Sequence, residues 1–154
     1  CILFAPDTKR LSAFYIDILG MQLSDTVGGD FARFMRTAGS SDHHVLGLLK
    51  SEKTGFHHAS FEVETLDEIV LGGAAMVEKG HRHVWGPGRH VVGSNLFQYL
   101  RDPWNSMVEY SLDIDYIPAD VEWKARDWGK DGMFLWASDG PPPADFGQNF
   151  EIAG

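Results

Sequence analysis

Apolar residues in the first 112 positions recur in two rhythms that alternate along the chain. Ile2–Ala5 is a short apolar run, and Leu11, Phe14, Tyr15, Ile18 and Leu19 then follow at the i, i+3, i+4, i+7 and i+8 spacing of one helix face. Asp7 or Thr8 can cap that helix, and Gly20 stands where a glycine ends one. Strands are expected next at Met21–Thr26, Phe31–Thr37 and His43–Leu49, divided by Gly28-Gly29-Asp30 and by the 38–42 turn. The order then starts again. His57–Val63 reads as a strand, Thr65-Leu66-Asp67-Glu68 as a capping box, and a helix carrying Leu66, Ile69, Val70, Gly73 and Val77 runs to Gly80. Strands near Arg82–Val84, at Leu96–Arg101 and at Met107–Leu112 follow, separated by Trp85-Gly86-Pro87-Gly88 and by residues 102–106. Each half reads β-α-β-β-β, an internal repeat of supersecondary structure with little sequence identity. The modules span about 1–50 and 55–112.

After Leu112 the rhythm stops. Residues 113–154 carry Trp123, Trp128, Trp136 and the run Pro141-Pro142-Pro143, which predicts an irregular extension packed on the domain and anchored by its tryptophans. A partly disordered tail is the alternative for the last dozen residues.

Strand alternation sorts the side chains of the second module. In the 57–63 strand His57, Ala59, Phe61 and Val63 share the face that can cover a helix, and His58, Ser60 and Glu62 share the other. In Met107–Leu112 the apolar face is Val108, Tyr110 and Leu112, which leaves Glu109 opposite. His58 and Glu109 therefore both fall on the side away from the helix. Helices outside and polar groups inside predict an α+β fold, two βαβββ modules forming a half-open barrel around a wet or metal-containing cavity.

Composition narrows the chemistry. Thirteen basic residues against 22 acidic ones give a net charge of −9 with no Lys/Arg cluster, which excludes nucleic acid and anionic membrane as natural partners. No apolar run approaches the roughly 20 residues of a membrane span. The single cysteine, Cys1, excludes an internal disulfide framework and suits a reducing cytoplasm. All seven histidines fall between His43 and His90, which is where chemistry is to be sought.

The ordered string Ala13-Phe14-Tyr15-Ile16-Asp17-Ile18-Leu19-Gly20, Asp42-His43-His44, Phe56-His57-His58-Ala59-Ser60-Phe61-Glu62-Val63, Gly88-Arg89-His90, Tyr99-Leu100-Arg101-Asp102-Pro103 and Glu109-Tyr110 resembles the catalytic domain of type I extradiol ring-cleavage dioxygenases of the vicinal oxygen chelate superfamily. The resemblance covers roughly residues 1–112 and departs at Gln98, where an aliphatic or Phe residue is usual, and at Asn105. It implies a glyoxalase-like fold and a non-haem Fe(II) centre, with Mn(II) as the alternative ion, held by two histidines and a carboxylate. His58 and Glu109 would be two of the ligands. Setting the helix caps Asp7 and Thr65 in register places the counterpart of His58 immediately before Cys1, so the third ligand, a histidine, is expected just upstream, with an N-terminal domain of similar fold before it.

The resemblance also implies that His44 faces the dioxygen side, stabilises an anion there and later acts as general acid, while His90 and Tyr99 bond the catechol hydroxyls. Dioxygen would enter the ring beside a hydroxyl, giving a muconic semialdehyde-type product. His43, His57, His81 and His83 take no matching role. A catechol and O2 are thus the expected small-molecule partners of a cytoplasmic homo-oligomer. A metal-dependent glyoxalase-like isomerase or lyase, and a metal-free binding module of the same fold, remain the alternatives.

Overall fold

The computed structural model describes residues 1–148. The first module contains β1 (Ile2–Ala5), α1 (Thr8–Asp17), β2 (Gln22–Val27), β3 (Ala32–Arg36), the two-residue β4 (Ser41–Asp42) and β5 (Leu46–Lys50). The second contains β6 (Gly55–Glu62), α2 (Leu66–Glu78), β7 (His83–Arg89), β8 (Leu96–Arg101) and β9 (Met107–Leu112). The extension adds β10 (Tyr116–Ile117), β11 (Arg126–Trp128), a 3₁₀ turn at Lys130–Met133 and β12 (Trp136–Ala137). Ten strands form one curled sheet in the order β11-β2-β3-β5-β1-β6-β9-β8-β7-β12. The two halves meet at β1 and β6, which run antiparallel, and each of these pairs in parallel with the last strand of its own module, β5 or β9. The expected βαβββ repeat and α+β class are therefore present. Among the described residues no helix is long and apolar enough to cross a membrane.

Both helix caps form as read. The Asp7 side chain accepts from Arg10 N–H, and Thr65 and Glu68 make the reciprocal capping box. The buried face of α1 differs from the apolar stripe. Thr8 and Ser12 are its buried residues, with Leu11, Tyr15 and Ile16 packed on Met35, Leu46 and Leu48, whereas Phe14, Ile18 and Leu19 are more than half exposed. The two polar residues tolerate burial because each has a partner: Thr8 Oγ1 donates to Asp30 O at 2.6 Å, and Ser12 Oγ accepts from Arg33 Nε at 2.8 Å. In α2 only Ile69 and Gly73 are buried, and Leu66, Val70 and Val77 stay partly exposed. Gly73 lets the helix rest on the buried Gln98 amide, into which an added Cβ would collide.

Three further expectations are corrected. The strand expected at 43–49 begins only at Leu46, because His43 N–H leaves the sheet to donate to Asp115 O. Trp85-Gly86-Pro87-Gly88 does not separate strands. It lies within β7, which absorbs it through two register shifts against β8. The face of β6 assigned to a helix is not covered by one, since α2 packs on β7, β8 and β9 and leaves Phe61 58% exposed.

The extension is more regular than expected, because its strands extend both ends of the sheet, β11 beside β2 and β12 beside β7. Trp123 Nε1 donates to Ser24 O and Trp128 packs on the cluster of Phe4, Val27 and Val92, whereas Trp136 is 44% exposed. The disordered reading of the last dozen residues falls partly on 149–154, outside the described residues.

Candidate metal centre

The cavity forms where the modules meet, and one row across the sheet supplies its carboxylate and its phenol. Ser60 of β6, Glu109 of β9, Tyr99 of β8 and Trp85 of β7 are successive register partners. Paired residues share a face, so this row aims a carboxylate and a phenol at the same space. Trp85 is fully buried and stacks on Tyr99 at 5.9 Å with an interplanar angle of 11°, backing the phenol with an apolar plane.

His58 stands two residues before Ser60 on β6, on the same face, and its Nε2 lies 3.2 Å from Glu109 Oε2. Both side chains are almost wholly buried. His57 also faces the cavity, against the alternation expected for it. Ile2 pairs with His58 and Leu3 with Phe56, so His57 is the extra residue of a β-bulge. Phe56, Ala59 and Phe61 remain on the outer surface while His57 and His58 both line the cavity. Two strands of correct period therefore hide an adjacent inward pair.

The bulge orients the ligand. His57 Nε2–H donates to Phe146 O at 2.7 Å, which leaves its Nδ1 bare to accept from His58 Nδ1–H at 2.5 Å. His58 Nε2 is then unprotonated and turned toward Glu109, the state a metal ligand needs. A nitrogen and an oxygen bound at adjacent corners of an octahedron, with bonds of about 2.1 Å, sit about 3 Å apart. The observed pair fits two such corners. Among the described residues no group of three or more His, Cys, Asp or Glu side chains gathers as a metal site.

Asn95 Nδ2 donates to Glu109 Oε1 at 3.3 Å. His90, just beyond β7, donates from Nδ1 to Met133 O at 2.6 Å. Its Nε2 therefore accepts from the Tyr99 hydroxyl at 3.0 Å. Burial, then the nearby Glu109 charge, pushes the Tyr99 pKa well up, so the phenol keeps its proton and stays a donor. His44 faces the same cavity, and burial followed by the neighbouring His43 lowers its pKa to about 3. The His44, His58, His90, Tyr99 and Glu109 side chains share one cavity, with Ile2, Phe34, Leu48, Val92, Met133 and Phe146 as apolar walls.

Sequence reasoning missed the groups behind these residues. His43 is buried between His44 and Asp25, and the carbonyls of Met133 and Phe146 come from the extension. The buried doublet Ser24-Asp25 inside a strand was the available signal, since a strand-interior aspartate needs a partner. His83 is exposed and pairs with Asp139, and Trp104 is 81% exposed and outside the cavity.

A curled sheet built from two βαβββ modules around a His–Glu pair defines a class. The chain belongs to the Glyoxalase/Bleomycin resistance protein/Dioxygenase superfamily, whose model matches residues 1–110. It is 45% identical over 141 residues to Metapyrocatechase 2 of Cupriavidus necator, covering 91% of this chain and 44% of that protein. The chain thus spans less than half the length of that relative. Among solved structures, the Mn(II)-bound glyoxalase from Novosphingobium aromaticivorans superposes with a TM-score of 0.82 at 26% identity, over 94% of this chain and 47% of that one. Homoprotocatechuate 2,3-dioxygenase from Brevibacterium fuscum shares the fold, with a TM-score of 0.78 at 22% identity over 94% and 46%.

Proposed function

We propose that this chain carries the catalytic centre of an extradiol dioxygenase that opens a catechol ring with O2. The observation that carries the reading is the convergence of His58 and Glu109, as two adjacent donors, with His44, His90 and Tyr99 in one largely apolar cavity. Support also comes from 45% identity to a protein named metapyrocatechase.

His58 and Glu109 would hold a divalent ion, Fe(II) with Mn(II) as the alternative. A third donor, a histidine at the position before Cys1, would complete the set: the β1–β6 register, extended two residues back from the Ile2–His58 pair, would set that position opposite Ser60, the register partner of Glu109. When bound, the ion supplies a Lewis acid that joins catechol and O2 and carries electron density between them.

The remaining groups do the work of binding and proton control. Tyr99 and His90 form a bonded pair at 3.0 Å that can receive the catechol hydroxyls, Tyr99 as donor and His90 Nε2 as acceptor. The apolar walls exclude water, so these bonds act in a low dielectric. No lysine or arginine lines the cavity among the described residues, which favours a ring without charged substituents. His44 lines the same cavity and would govern a proton on the side where the resemblance expects dioxygen.

The test adds Fe(II) and catechol without air to this chain and to the chain with a histidine placed before Cys1, then admits air. Ring-fission product, formed faster with the added histidine, is expected. Iron bound with no product, or isomerisation of a hemithioacetal instead, would overturn the reading.

A further inference from the structure

The His43–His44 pair is wired like the His57–His58 pair, although it comes from the other module and from a turn rather than a bulge. In each pair the two Nδ1 atoms face each other, at 3.0 Å for His43 and His44. One proton must lie between two facing ring nitrogens of a neutral pair, and which ring owns it depends on the far end of the outer ring. For His57 that end meets a carbonyl. For His43 it meets Asp25, with Nε2 at 3.1 Å from Oδ2.

Asp25 can only accept here. It is 2% exposed, Oδ1 accepts Arg126 N–H at 2.7 Å, and Oδ2 accepts Trp128 Nε1–H at 2.9 Å as well as the His43 contact. Its two partners besides His43 are obligatory N–H donors, the Arg126 amide and the Trp128 indole, so the carboxylate offers His43 only acceptor oxygens. His43 must therefore carry its proton on Nε2. The ring is 1% exposed, and burial lowers its pKa against the opposing pull of Asp25, so it holds one proton rather than two. Its Nδ1 is then bare, and the shared proton belongs to His44.

We propose that Asp25, acting through His43, fixes His44 as the Nδ1–H tautomer, so that His44 presents an unprotonated Nε2 to the cavity and is a proton acceptor at rest. Asp25 and His43 are positioning residues in this scheme. The inference rests on the catechol reading only for what His44 does there. His44 Nε2 has no hydrogen-bond partner among the described residues, and its ring lies beside the Phe34 ring at 4.8 Å. A ligand hydroxyl can donate to it. His44 can act as an acid, as the family resemblance implies, only after it has taken such a proton. The imidazolium then formed keeps its Nδ1–H on His43 and stands two bonds from the Asp25 charge.

Long-range ¹H–¹⁵N correlation spectra of the ¹⁵N-labelled full chain, without metal or substrate, test this directly. Expected are a protonated Nδ1 and bare Nε2 on His44, and the reverse on His43. In Asp25→Asn the amide NH2 would face either the Arg126 N–H or the side shared by His43 Nε2 and the Trp128 indole N–H, and the second placement offers His43 Nε2 a donor instead of an acceptor. The expected result is that the proton moves to Nε2 in His44, while His57 and His58 keep their tautomers as an internal control. A protonated Nε2 on wild-type His44 overturns the proposal even if the variant does not fold, and so does a folded Asp25→Asn with His44 unchanged. Neither spectrum depends on ring cleavage, so a catalytically silent chain with the expected tautomers would count against the catechol reading alone.

Discussion

Glu109 and Tyr99 face each other across β9 and β8 as register partners, and the phenol's other neighbour is His90 Nε2 at 3.0 Å. A buried carboxylate, a phenol that keeps its proton and an imidazole that accepts from that phenol thus form one strip. The carboxylate can serve a cation while the other two serve a substrate. Tyr99→Phe removes the donor and leaves the His58–Glu109 pair. We expect kcat/KM for catechol to fall roughly 10–100-fold, the value of a hydrogen bond to a charged partner, with iron content unchanged. Iron analysis beside steady-state kinetics checks both halves.

His57→Phe keeps the ring volume near Phe4 and Phe146 but removes the acceptor for His58 Nδ1–H. Metal affinity should fall about 10–100-fold, as for loss of other groups that orient a ligating imidazole. Titration of the apo chain with Mn(II), followed by paramagnetic relaxation, reads this without catalysis. Unchanged affinity would mean that His58 is oriented by its strand alone.

Gly93 has φ +79°, and a Cβ there would lie 2.9 Å from His44 Cε1 and 3.4 Å from His43 Nδ1. Gly93→Ala therefore forces an L residue into the left-handed region and presses on both rings. A stability loss of about 1–3 kcal/mol is expected, read as a lower urea midpoint at constant m, together with changed ring shifts for His43 and His44.

Acid should destabilise the metal-free chain before its carboxylates titrate. Burial lowers the pKa of His43, opposed by Asp25 and Asp115 and helped by Arg36, and takes that of His44 to about 3. A depressed histidine binds its proton in the unfolded chain from about pH 6.5 downward while the folded chain does not, so stability falls as pH drops below 6.5. Burial takes the His57 pKa to about 3 as well, so the limiting slope for the three groups is about 4 kcal/mol per pH unit. Urea midpoints measured from pH 7 to pH 4.5 should decline, and His43→Gln should flatten the decline.

The fold was legible because both modules announce themselves locally, through the Asp7 cap, the Thr65–Glu68 box and strands of period two. His58 and Glu109 followed from the same period on neighbouring strands. Where a bulge broke the period, at His57, alternation gave the wrong face. Where a helix touched the sheet through Thr8 and Ser12, the apolar stripe picked out only part of the packed face, Leu11 and Tyr15, because satisfied polar residues leave no apolar signal. The tautomer-setting groups were out of reach for another reason. Asp25 lies 18 residues from His43, and the Phe146 carbonyl lies 89 residues from His57, so only tertiary structure brings them together.

Oxygen consumption set against ring-fission product tests the central claim most directly. The measurement uses the chain with a histidine before Cys1, loaded with Fe(II) under argon, mixed with excess catechol and then given limiting O2. The account predicts one ring-opened product for each O2 consumed, and none from Glu109→Ala. Iron bound at His58 and Glu109 with no ring opening, or equal product from Glu109→Ala, would contradict it.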